Sequence, residues 1–325
     1  MRALIVVIVV AFAAWSGWWF VASKAGRTGA GATFEALQAQ GWTARHKGIA
    51  VQGFPNRVDL TITEPEIVPP MSAWGWKAPF VQLFALSYKP WHIIAAFPTL
   101  QSLQTPLGEA QLQAGRIQAS LVVTPDSSLA LSRAQIAGEA LSLEGAGTWL
   151  VDALAAAVHQ NAAELNAYDL GLTLTGITPD PAVTSVMPQG LLPEKLPVLH
   201  LDALAGFTAP LDRHAADTRP ELTHLTLREL RSEWGPVKLH LSGRLVPDAD
   251  GFAEGSLQLR LEGAATLIEI LGASGAIAQK DMRNLSFAVK AMSGGNDFVT
   301  LPLNFARGRM TLALFPLGPA PRLRY

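Results

Sequence analysis

The residues that could do chemistry in this chain are its histidines and carboxylates, and their spacing predicts no reactive site. The histidines are scattered singly, at His46, His92, His159, His200, His214, His224 and His240. The signatures Gly-x-Ser-x-Gly, Gly-x-Gly-x-x-Gly and His-Glu-x-x-His do not occur. The absence of cysteine removes thiolate nucleophiles, thiolate metal ligands and disulfides together. We therefore expect a protein that is not an enzyme, with no catalytic residue, no metal site and no cofactor.

Composition narrows the class of protein further. Among 325 residues, 25 are basic and 26 are acidic, so the net charge is −1. A nucleic-acid partner is not expected, because such proteins need a basic surface that releases counterions. Only 16% of the residues are charged, against about 25% in an average soluble domain. The 28 glycines and 22 prolines are spread along the chain, which favours many short strands.

The N-terminus predicts a transmembrane helix. Ala3–Ala22 contains no charge, and its length suits a hydrocarbon core of roughly 30 Å. Its C-terminal end carries the aromatic cluster Trp15, Trp18, Trp19 and Phe20, a composition typical of the membrane interface. A cleaved signal peptide is the alternative, but its hydrophobic region is usually shorter and ends in small residues.

This segment also predicts where the chain is located. A very short N-terminal tail before a large C-terminal domain is the usual arrangement of a signal anchor, although the flanking positive charges are nearly balanced. We expect residues 1–27 to anchor the chain as a single pass in a bacterial inner membrane. Residues 28–325 would then form a β-rich domain in the periplasm.

Most of that domain predicts amphipathic strands. Apolar and polar residues alternate in segments containing Val58, Leu170, Val237, Leu257 and Met310. Several such segments in series predict a mainly β fold with a curved antiparallel sheet. Apolar spacing predicts a few helices, at Ala32–Gln40, Thr148–Gln160 and Thr266–Leu271.

An eight-residue motif that occurs twice raises the question of an internal duplication. Leu141–Thr148 and Leu259–Thr266 both follow the pattern Leu-x-Leu-Glu-Gly-Ala-x-Thr before a predicted helix. A repeated strand–helix unit would divide the domain into similar halves at 42–160 and 165–325. Chance similarity in a chain rich in leucine, alanine and glycine is the alternative.

A sheet with one apolar face must have that face covered, and three predicted helices are few for the number of strands. One solution is a groove that binds a lipid or another apolar molecule. The residues predicted to line it are Val237, Leu239, Leu241, Leu257, Leu259, Leu261, Leu312 and Leu314. The alternative is a fully packed core in a structural or adaptor protein that has a protein partner instead.

Aromatic residues in two loops rich in glycine and proline predict a second kind of contact. Trp74, Trp76, Lys77 and Trp91 suit a membrane interface or an apolar partner. The alternative is that these aromatic side chains plug the end of the curved sheet.

Two motifs support a family resemblance. The first is Gly53-Phe54-Pro55-Asn56-Arg57, and the second is the stretch Pro316–Leu323, which contains Gly318, Pro319 and Pro321. With the N-terminal anchor, they resemble a proteobacterial envelope family, the domain-of-unknown-function family 2125, and more remotely the AsmA-like envelope proteins. That resemblance implies an inner-membrane anchor, a periplasmic β-sheet and a role in lipid homeostasis or transport between membranes. It implies no catalytic residues.

Overall fold

The structure is a computed structural model that describes residues 1–145, 147–185, 190–273, 296–313 and 315–324, with positions 282, 286, 287, 289, 290 and 293. The chain forms two compact units. The first contains residues 1–125 and 136–146, and the second contains residues 126–135 and 147–325. Strands predominate and pair antiparallel, and one long helix precedes them in the chain, so the predicted mainly β class is confirmed.

The N-terminal helix, α1 (Arg2–Ala39), is longer than the sequence predicts. It includes both the predicted anchor and the predicted helix at Ala32–Gln40, which are one continuous element. It is long and apolar enough to cross a membrane. The residues before Trp15 are all exposed, whereas the later turns bury Trp19 and Phe34.

The first unit is built from nine short and medium strands and part of a tenth. The strands are β1 (Thr43–Arg45), β2 (Gly48–Gln52), β3 (Arg57–Thr63), β4 (Glu66–Val68), β5 (Gly75–Lys77), β6 (Phe80–Leu86), β7 (Lys89–Ala96), β8 (Leu100–Thr105), β9 (Gly108–Val123) and β10 (Leu131–Gly145). Two series, β2-β3-β6-β7 and β1-β4-β5-β8, meet at β9, which pairs with β7 through its second half and with β8 through its first half.

Helix α1 covers the apolar side of these strands. Trp19 packs in a cluster with Val58 and Leu60, and Phe34 packs in a cluster with Ile62 and Val81. The alternation predicted around Val58 therefore forms β3, with its apolar side chains beneath the helix. The second half of α1 is a layer of the first unit's core, because its removal would expose these buried side chains to water.

The second unit is a meander of long strands with β19 at its end. Its strands are β11 (Gly147–Gln160), β12 (Ala167–Thr178), β13 (Leu196–Phe207), β14 (Leu222–Trp234), β15 (Val237–Pro247), β16 (Ala253–Glu262), β17 (Phe298–Ala306), β18 (Arg309–Leu312) and β19 (Phe315–Pro319). Its helices are α2 (Pro181–Ser185), α3 (Ala215–Thr218) and α4 (Ala264–Ala273). Each strand from β11 to β19 pairs antiparallel with the next.

One helix prediction is wrong and one is confirmed. Thr148–Gln160 lies in strand β11, which pairs with β12 along most of its length. Alanine and leucine favour a helix locally, but a strand places Leu154, Ala156 and Val158 on one apolar face, and that pairing overrides propensity. The predicted helix at Thr266–Leu271 lies within α4. The two copies of the repeated eight-residue motif are therefore followed by a strand in one case and by a helix in the other.

Candidate apolar binding face

The meander of the second unit aligns its leucines in rows that cross the strands. Three such rows run from β11 to β17, and each step between neighbours is a direct cross-strand pair. The first row is Leu154, Leu174, Leu199, Ser232, Leu239, Leu261 and Val299; the second is Ala156, Leu172, Leu201, Leu230, Leu241, Leu259 and Leu301; the third is Val158, Leu170, Ala203, Leu227, Gly243, Leu257 and Leu303. At about 4.8 Å between strands, each row is about 29 Å long.

One end of this face is closed by the protein itself. Leu227, Leu245, Leu257 and Phe305 are buried in one cluster with Ala320 of the C-terminal segment. The backbone N–H of Ala253 donates to the carbonyl of Pro321 at 2.8 Å, which fixes that segment in place. The C-terminal tail therefore covers the ends of the strands beyond the third row.

Helix α4 covers a second part of the face, on β16 and β17. Leu261, Val299 and Leu301 are buried there in a cluster with Ala264, and Leu267 of α4 packs against it. The short apolar helix thus shields one lateral edge of the first two rows.

Next to these two covered regions, on strands β12, β13, β15 and β16, lies a patch of half-buried leucines. Leu172, Leu174, Leu199, Leu239 and Leu259 lie in the first and second rows, outside both buried clusters. We call these five residues the open patch. They are joined by half-buried Leu201, Leu230 and Leu241, which pack against the closed end. A contiguous apolar surface that is only partly buried is a feature of ligand-binding grooves and interaction sites.

The border of the open patch beyond the first row is polar and aromatic. Lys195 donates hydrogen bonds of 2.9 Å to both carboxylate oxygens of Asp152. Trp234, which pairs with Val237, donates its indole N–H to the carbonyl of Pro193 at 2.7 Å. The open patch is therefore bordered by groups that suit the polar end of an amphiphile.

The opposite face of the same strands is charged and self-paired. Arg228 bridges Asp169 and Asp202, and Arg231 pairs with Glu233 at 3.2 Å. Desolvation opposes the effect, but hydrogen bonds from Arg228 and Asn161 hold the pKa of Asp169 below its ordinary value. These pairs satisfy the charges of the polar face, so the apolar face is the chemically distinctive side of the sheet.

The predicted groove residues fall in three different environments. Leu239, Leu241 and Leu259 are half-buried and lie in or beside the open patch, whereas Val237 packs against the α4 cluster. Leu257 and Leu261 are buried by the protein. Leu312 packs against the α4 cluster. Leu314 lies outside the described residues.

The predicted lining residues omitted the β12, β13 and β14 portions of the site, although the alternation around Leu170 predicted β12 as a strand. Leu199 and Leu201 alternate with His200 and Asp202, so the signal was present in the sequence. On β14 a bulge between Leu227 and Leu230 shifts the register. That extra residue breaks the period-two pattern, which is why β14 does not read as a simple amphipathic strand.

The predicted tryptophan contacts also separate in the structure. Trp76 is half-buried, donates to Gln101 at 2.8 Å and packs against Phe97, and Lys77 pairs with Glu66 at 3.1 Å. Trp74 is 59% exposed in the loop between β4 and β5. Trp91 is half-buried near the start of β7.

Both family motifs have structural positions in these units. Gly53 has a φ of +98°, and a Cβ there would lie 2.8 Å from the carbonyl oxygen of Arg57. The tight β2–β3 turn that contains Phe54 and Pro55 therefore requires glycine. Pro316, Gly318 and Pro319 lie on β19, and Pro321 follows in the tail over the closed end of the apolar face.

Other site classes receive no support from the part of the chain that the structure describes. Histidine and carboxylate side chains form no group there that could hold a metal ion. Two surface pockets of about 330 and 420 Å³ lie in the first unit and share Lys77 and Ser102. Their linings mix polar and apolar residues and are separate from the leucine rows.

Among the residues that the structure describes, these features define a β-rich protein with one helix that could span a membrane and a long apolar face that is only partly buried. The chain belongs to a bacterial family described as "Uncharacterized protein conserved in bacteria (DUF2125)", whose model matches residues 19–321. No curated protein and no solved structure matches the chain.

Proposed function

We propose that this protein binds a membrane phospholipid, or passes it along, on the open patch of its second unit. The observation that supports this most strongly is the set of leucine rows, which are covered at one end and at one lateral edge but half-exposed between them. The uncovered part of the second row runs from Leu172 to Leu259, about 19 Å over four strand steps, which is comparable to an extended acyl chain. The proposal assigns the chain no catalytic role.

The border of the patch supports an orientation for the lipid. The acyl chains would lie across the first and second rows, and the headgroup would lie beside Lys195 and Trp234. A lysine ammonium suits a phosphate, and an indole suits the boundary between apolar and polar groups. The Lys195–Asp152 pair is more than half exposed, so exchanging its partner for a lipid phosphate costs little.

A cross-linking experiment in living bacteria tests the proposed site. A benzophenone amino acid at Leu241 is expected to capture radiolabelled phospholipid on illumination, because its side chain faces the apolar rows. The matched control is the same amino acid at Val246, which lies on the opposite face of β15 and is 37% exposed. Equal capture at both positions, or none at Leu241, would refute the proposed site.

The proposed location is the periplasmic side of a bacterial inner membrane, anchored by α1. A helix that is long and apolar enough to span a membrane, followed by a large domain, supports it. Because the chain has no cysteine, Met71→Cys places one thiol at a fully exposed loop position. A maleimide that cannot cross the inner membrane should label this cysteine in cells whose outer membrane has been permeabilised and whose inner membrane is intact. Labelling only after cell lysis would place the domain in the cytoplasm instead.

A further inference from the structure

The freely projecting part of α1 is shorter than the hydrocarbon core of a bilayer. A membrane span that begins at Ala3 reaches Trp15 after about 18 Å and ends near Ala22 after about 29 Å. Contact with the first unit already begins at Trp15, whose indole N–H donates to Asn56 Oδ1 at 3.2 Å. Part of the first unit must therefore lie at the depth of the membrane surface when α1 spans the bilayer.

Two neighbouring turns of the first unit reach that depth. Trp18 donates to the carbonyl of Ser87 at 2.9 Å, and Trp19 donates to the carbonyl of Arg57. Ser87 is fully buried and donates its backbone N–H to Asn56 at 2.9 Å, which ties the β6–β7 turn to the β2–β3 turn. The helix thus holds both turns against its aromatic cluster.

The side chains at the tips of these turns are aromatic, exposed and uncharged. Phe54 is 48% exposed and its ring lies 5.3 Å from that of Trp19 and 6.1 Å from that of Phe20. Tyr88 is 58% exposed on the adjacent turn. Exposed Phe54 beside exposed Phe20 is unfavourable in water and favourable at a bilayer interface.

We propose that the turns at 53–56 and 87–88 are a membrane seat, which inserts Phe54 and Tyr88 into the interface of the bilayer that α1 crosses. The exposed cations Lys24 and Arg27 follow Trp19 by about 8 and 12 Å along α1, Lys89 directly follows the second turn, and all three suit lipid phosphates. The occupant of this surface is the phospholipid bilayer itself. The seat fixes the height and tilt of the first unit on the membrane, which a single flexible anchor would leave free.

Depth measurements on the full chain test the seat. Single-cysteine variants Phe54→Cys and Tyr88→Cys carry an environment-sensitive fluorophore in nanodiscs of phosphatidylethanolamine and phosphatidylglycerol. Met71→Cys is the water-exposed control, since its loop lies near Gly41 at the far end of α1, about 37 Å along the helix from Trp15. Phe12→Cys, on the projecting part of α1, is the membrane-embedded control.

Lipids with a nitroxide on the upper acyl chain should quench the labels at 54 and 88 several-fold more than the label at 71. An aqueous quencher should show the opposite order. The label at 12 confirms that α1 is inserted in every preparation, and circular dichroism confirms that each variant is folded. If either the label at 54 or the label at 88 is as accessible to the aqueous quencher as the label at 71, the proposal is overturned.

Discussion

Replacing both Leu172 and Leu239 by glutamine is expected to abolish the phospholipid retention on purification that the proposed function predicts for the wild-type chain. Fully covering one exposed leucine side chain is worth about 1.5–3 kcal/mol. Because Leu172 and Leu239 are already half-buried, the double variant loses about half of that at each position, about 1.5–3 kcal/mol of lipid binding in all. Since each 1.4 kcal/mol is tenfold in affinity, binding should weaken by about tenfold to a hundredfold. The measurement is phospholipid phosphorus per protein after size-exclusion chromatography, together with the thermal unfolding midpoint.

The matched control for this variant is Val246→Gln on the polar face of β15, which should retain lipid at the wild-type level. A protein whose apolar face is fully packed predicts a different result for the double variant. Its unfolding midpoint would fall sharply, because two polar groups would be buried without partners, and its lipid content would equal that of wild type. That outcome would favour the structural or adaptor alternative.

Trp19→Ala is expected to destabilise the first unit by about 3–5 kcal/mol, the usual cost of truncating a buried large aromatic residue. Trp19 is only 8% exposed, packs against Val58 and Leu60, and contacts the ring of Phe54 edge-on. The substitution also leaves the Arg57 carbonyl without its indole donor. Denaturant unfolding in mild detergent, followed by circular dichroism, measures the loss.

The control is the same substitution at Trp74, which is 59% exposed. Its effect should stay within about 0.5 kcal/mol, as is usual for surface positions. Equal effects at the two tryptophans would mean that α1 does not pack against the strands.

The large effect at Trp19 also predicts that the helix is retained in the mature chain, because cleavage near Ala22 would remove this core residue. The intact mass of membrane-extracted protein checks that directly.

The strands were predictable where alternation is strict and each turn is short. The segments around Val237 and Leu257 form β15 and β16, and their intervening turn, Pro247–Gly251, joins them as a hairpin. The β11 segment was misread because its alanines satisfy helical spacing as well as strand alternation. Pairing with β12 decides between helix and strand, and local propensity carries no information about that pairing.

The composition of the apolar face was predictable, but the extent of its coverage was not. Alternation alone cannot distinguish Leu257, which the C-terminal cluster buries, from Leu259, which is half-buried. That difference depends on where the tail and α4 pack, and both are remote in sequence from most of the leucine rows. The membrane seat was not predictable either, because the contact between the Gly53–Arg57 motif and Trp15–Trp19 forms only in the folded unit.

Native mass spectrometry of the wild-type full chain, released from a mild detergent micelle, distinguishes a lipid-binding apolar face from a fully packed one. We expect discrete adducts of phospholipid mass that persist as the detergent is stripped away and that are lost in the variant carrying Leu172→Gln and Leu239→Gln. A wild-type chain that carries no lipid under these conditions, or adducts equally abundant in wild type and variant, would contradict lipid binding on the open patch.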